Sequence, residues 1–74
     1  MEDFVIVVNR IEDLQATKDL VELELIFDKA KRTIVGGMSV ILVRENSKGK
    51  QERFNTISSE IDFEEYRKQV FRYL

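Results

Sequence analysis

The chain contains no cysteine and no histidine. These absences exclude disulfide staples, thiolate chemistry, zinc sites of the usual Cys/His kind, and imidazole as a base near neutral pH. Long apolar runs are missing as well. Phe4 to Val8 and Val40 to Val43 are the longest, far too short to cross a bilayer, and no charged segment leads into an apolar signal core. The expectation is therefore a soluble, cytoplasmic protein. At 74 residues it forms one domain, near the lower limit at which a single core sustains folding without a metal or disulfide. With 43% hydrophobic and 35% charged residues it is too apolar and too patterned to be disordered. Its core has to be efficient, or shared with a partner.

Charge is close to balanced overall, at −2, but unevenly placed. Residues 1–28 hold eight acids against two bases, and residues 29–53 hold seven bases against two acids. Pairing an acidic strand with a basic neighbour accounts for this, at roughly 0.2–1 kcal/mol per cross-strand pair. The alternative is a binding patch for nucleic acid or an acidic partner made of Lys29, Lys31, Arg32, Arg44, Lys48, Lys50 and Arg53, with Phe54 the nearby aromatic able to stack on a base. An acidic pI near 5.1 and the lack of a basic recognition helix weigh against it.

Period-two alternation from Val21 to Asp28 predicts a strand over Leu20 to Asp28, with Val21, Leu23, Leu25 and Phe27 on its buried side. A polar break at Asp28-Lys29-Ala30-Lys31 reads as a turn. Gly36-Gly37 then makes either a hairpin tip or, preferred here, a bend in one long strand from Lys31 to Glu45. A valine at Gly37 should damage either arrangement severely. Phe4 to Val8 suits an inner strand, buried on both faces. Between Asn9 and Asp19 the spacing allows at most two helical turns, capped by Asn9 with Glu12 three residues on.

Asn46 to Lys50 is a polar turn, and Gln51 to Ile57 is the last strand. Phe54 and Ile57 stand at odd spacing in it, so either one of them faces the wrong side or the strand is an edge guarded by Lys50 and Arg53. Asp62 with Glu65 starts a final helix, whose apolar stripe is Phe63, Tyr66, Val70, Tyr73 and Leu74, with Phe71 at the margin. The predicted architecture is α+β: a twisted, mostly antiparallel sheet of four to five strands with the C-terminal helix packed on one face. Ile26, Val35, Ile41 and Val43 then add to a sheet face that the helix does not shield.

Catalytic constellations are scarce. Glu22 and Glu24 would project from the same strand face, about 7 Å apart by strand rise, a spacing open to glycoside hydrolysis or a hard divalent ion. A solvated acidic strand face is the preferred explanation. Gly36-Gly37 lacks the Gly-Lys-Ser/Thr ending of a phosphate loop. No catalytic, cofactor or metal residue is assigned, no small-molecule substrate or membrane is predicted, and no family is recognised. These features together predict a small non-enzymatic protein-interaction or regulatory protein that self-associates or covers itself with a protein partner. A nucleic-acid-binding module using the basic 29–53 segment is the alternative.

Overall fold

The computed structural model describes residues 3–72. The chain runs β1 (Phe4–Val7), α1 (Val8–Thr17), α2 (Leu20–Val35), β2 (Val40–Glu45), β3 (Gln51–Ile57) and α3 (Glu60–Arg72). The three strands form one sheet in the order β1-β2-β3. β1 pairs with β2 in parallel, Phe4 beside Val40 through Val7 beside Val43, and β2 pairs with β3 in antiparallel fashion. A parallel neighbour cannot be reached by a tight turn, so the chain needs a crossover, and α1 and α2 provide it.

The α+β class stands, but the expected sheet of four to five mostly antiparallel strands does not. The sheet is three-stranded and mixed, and α2 fills the stretch expected to hold one strand, Leu20 to Asp28, and the start of the next. The main cause is α2. Alternation over Val21 to Phe27 mimics a strand, yet the buried residues are Leu23, Phe27, Ala30 and Ile34, spaced i, i+4, i+7, i+11 along one helical face. Asp19 caps the helix by accepting from the Glu22 backbone N–H at 3.2 Å. Asp28-Lys29-Ala30-Lys31, expected as a turn, contains no helix breaker and is carried through as helix.

Gly36-Gly37 is neither a hairpin tip nor a bend within a strand. Met38 N–H donates to Thr33 O and Gly37 N–H to Ile34 O, both at 3.0 Å, which is the paired bonding of a Schellman termination. Gly37 sits at φ 90°, and a Cβ there would meet nothing within 4 Å. The cost of a side chain at Gly37 is therefore left-handed backbone alone, about 1–2 kcal/mol, rather than severe disruption. α1 ends in the same way without glycine: Asp19 N–H donates to Leu14 O and Lys18 N–H to Gln15 O, with Lys18 at φ 56°.

β1 is not the inner strand expected of Phe4 to Val8. It is an edge strand of four residues, and Val8 already belongs to α1. Asn9 does not cap that helix. Its side-chain Nδ2 donates to Glu45 O at 2.9 Å and its Oδ1 accepts from Glu45 N–H at 3.0 Å, prolonging the β1–β2 ladder after the backbone has turned away. At the other end Asp3 Oδ1 accepts from Ser39 N–H at 3.0 Å. The last helix begins one turn earlier than Asp62 suggested, with Ser59 Oγ accepting from Asp62 N–H. Its Phe63 and Val70 are buried, and Tyr66 and Phe71 pack against them; Tyr73 and Leu74 lie outside the described residues.

One cluster forms the core. Ile6, Val40, Leu42 and Ile57 supply its strand side, and Ile11, Leu23, Phe27, Ala30, Ile34, Phe63 and Val70 its helical side. The buried side chains of the three helices thus join the strand residues in a single cluster.

Two outcomes test these terminations. Lys18→Gly relieves the left-handed strain and is expected to stabilise the protein by about 0.5–1 kcal/mol in urea unfolding. Asn9→Ala removes both bonds to Glu45 and is expected to lower stability by about 1–2 kcal/mol.

Candidate functional site

Alternation in the strands sorts their side chains onto two faces. Residues opposite to the core side are Val5 and Val7 in β1 and Ile41 and Val43 in β2. None belongs to the core cluster. An irregularity in β3 adds to this face. Leu42 lies beside Asn55 but Val43 lies beside Arg53, so Phe54 is the extra residue of a bulge. This resolves the odd spacing of the last strand: Ile57 is in the core, and Phe54 is left 56% exposed. Val5 is 45% exposed, whereas Val43 in the middle strand is buried between its neighbours. Ile41 and Val43 occupy the second sheet face as expected, while Ile26 and Val35 are on α2 instead.

The two free edges of the sheet differ in chemistry. β3 carries Glu52 and Arg53 and is interrupted by its bulge, devices that discourage further pairing. β1 carries Phe-Val-Ile-Val and no charge. Phe4 N–H donates to Ser39 O of the segment leading into β2, at 3.1 Å. Backbone groups alternate in direction along a strand, so Phe4 and Ile6 bond toward β2, while Val5 turns its N–H and C=O outward and Val7 its N–H, the Val7 C=O serving as N-cap acceptor for the first turn of α1. A groove of about 370 Å³ follows this edge, with β1 as one wall and Glu22, Leu25, Ile26 and Lys29 of α2 as the other. Lys29 Nζ lies 4.8 Å from the centroid of the Phe4 ring at one end. Arg10 Nη2 donates to Glu22 Oε1 at 2.8 Å at the other.

The seven basic residues singled out from the sequence are divided between two parts of the fold. Lys29, Lys31 and Arg32 are on α2, and Arg44, Lys48, Lys50 and Arg53 belong to the β2–β3 hairpin. Arg32 pairs with Asp28 one helical turn away. Arg44 pairs with Glu12 of α1 at 2.9 Å, and the hydrogen bond and charge of that carboxylate push its guanidinium pKa up. Lys29 and Lys31 line separate grooves on α2. Glu22 and Glu24, placed on a helix, no longer share a face, since residues two apart diverge by about 200°. Among the described residues no group of three or more acidic side chains could hold a metal ion. No helix among them is long and apolar enough to cross a membrane.

Sequence reading missed the exposed edge, because an unbroken β-branched run looks the same whether helices or strands cover it. It also missed Leu25, 60% exposed beside the groove. The signal that could have found both was the Asp19…Glu22 capping pair, which announces a helix and moves Leu25 off the core stripe. Comparison with known proteins finds no matching family model, no matching curated protein and no matching solved structure.

Among the described residues, the one titrating group held far from its ordinary range is Tyr66. Its hydroxyl is buried without a hydrogen-bond partner among the described residues. Burial, reinforced by the charge of Glu12, pushes its pKa up to about 12. A raised phenol pKa means the folded state holds its proton longer than the unfolded chain does. The resulting stabilisation is complete below pH 10 and is lost as pH rises toward 12. Tyr66→Phe is expected to leave stability at pH 7 equal or higher and to flatten the loss between pH 10 and 12, read from urea midpoints across that range.

Proposed function

We propose that this chain is a small non-enzymatic interaction protein that works by associating with protein surfaces, its own copies first among them. The observation that carries the reading is the unguarded strand β1, whose outward backbone groups adjoin the exposed side chains of Val5 and Leu25. Natural sheets protect such an edge with charge, proline or a bulge, and β3 in this same sheet is protected in two of those ways. An exposed edge left sticky is a means of adding a strand. Phe54, 56% exposed at the bulge of β3, is a further exposed apolar side chain of the sheet. Nothing comparable supports the nucleic-acid alternative: the basic residues are split between α2 and the hairpin, and two of the seven are already paired with acids.

Light scattering over a concentration series tests the proposal. The expected mass rises above that of a single 8.7 kDa chain as concentration increases and returns to it on dilution. A single-chain mass at every concentration, with no fluorescence from a dye that reports exposed apolar surface, would remove it.

A further inference from the structure

The geometry points to a specific occupant for the β1 edge: a second copy of this chain, whose own β1 adds in antiparallel orientation about a two-fold axis. This rests on the interaction reading above and deepens it. Val5 presents one donor and one acceptor along the free edge and Val7 one donor, the Val7 carbonyl being taken as N-cap by the first bond of α1; two symmetry-related bonds from Val7 N–H to the partner's Val5 C=O are what an added strand would gain. Antiparallel addition makes Val5 and Val7 of each copy the hydrogen-bonded residues and joins two three-stranded sheets into one of six.

Charge on α2 selects the copy over an arbitrary peptide. The groove wall reads Glu22, Leu25, Ile26, Lys29 along one helical stripe, that is acid, apolar, apolar, base. A two-fold axis normal to the sheet reverses this order in the partner. Leu25 then meets the partner's Leu25, and Lys29 meets the partner's Glu22. Glu22 Oε1 holds Arg10, and Oε2 is turned to no other donor among the described residues. The stripe is complementary to itself under the same symmetry that the strand edge needs, which is the mark of an isologous interface. A four-residue edge and one helix stripe make a small contact, so the dimer should dissociate in the micromolar range.

Sedimentation velocity of the wild-type chain and two variants tests the arrangement. Val5→Pro removes an outward N–H that β2 does not use, a position where an edge strand accepts proline. Leu25→Glu places a charge at the centre of the helix contact without touching β1. Circular dichroism establishes that each variant is folded, and because the two substitutions lie on different elements, misfolding of one leaves the other decisive. The expected result is a wild-type dimer whose dissociation constant rises at least tenfold in each folded variant. Restoration of the Lys29→Glu dimer by the additional Glu22→Lys change would support the charge pairing. A dimer undisturbed by Val5→Pro or by Leu25→Glu would overturn the edge geometry while leaving self-association in place. A wild-type monomer throughout would overturn both.

Discussion

Phe27 is the residue on which the arrangement of helices depends. It is almost fully buried, and its ring centroid lies 5.9 Å from that of Phe63, 5.7 Å from Tyr66 and 5.6 Å from Phe71, all in tilted geometries favoured by aromatic pairs. Through these contacts α2 holds α3, while Leu23, Ala30 and Ile34 on the same stripe join the strand residues of the core. That side chain binds the last helix to the crossover helix. β1 and β2 run parallel, an arrangement that no tight turn can connect, and α1 and α2 span the gap.

The consequence for function is an asymmetry between two faces and between two edges. The helices share one core cluster with Ile6, Val40, Leu42 and Ile57, while Val5 and Phe54 stay exposed on the sheet. One edge is charged and bulged, and the other is apolar and regular. A chain this small buries a modest fraction of its apolar surface when it folds alone, and under the proposed function an edge that recruits further β structure would serve stability and recognition together. Lys29, poised over Phe4, is the one cation that shields the β1 groove at its amino-terminal end.

Local signals were readable where a single element decides them. The Asn46 to Lys50 turn, β3 and the Phe63, Tyr66, Val70 stripe of α3 follow from spacing and turn chemistry alone. So does the expectation that Ile41 and Val43 face away from the helices. Stretches compatible with two periods were not decided in this way. Val21 to Leu25 alternates without a break and Phe27 keeps the phase past Ile26, so the Asp19…Glu22 capping pair and the continuation through Ala30 and Ile34 are what separate a helix from a strand. Gly36-Gly37 satisfies a hairpin, a bend or a helix termination equally well until the preceding element is known. The site suffered most from this, since a strand in place of α2 hides both the β1 edge and the stripe of Glu22, Leu25 and Lys29.

Composition by itself determined that these 74 residues carry no thiol and no imidazole group. Which surface stays uncovered was decided only by tertiary structure. Burial is a property of neighbours brought together over long separations, as when Phe27 meets Phe63 or Asn9 bonds Glu45. The sequence pattern records that a side chain prefers to be buried, but not which partner arrives to bury it.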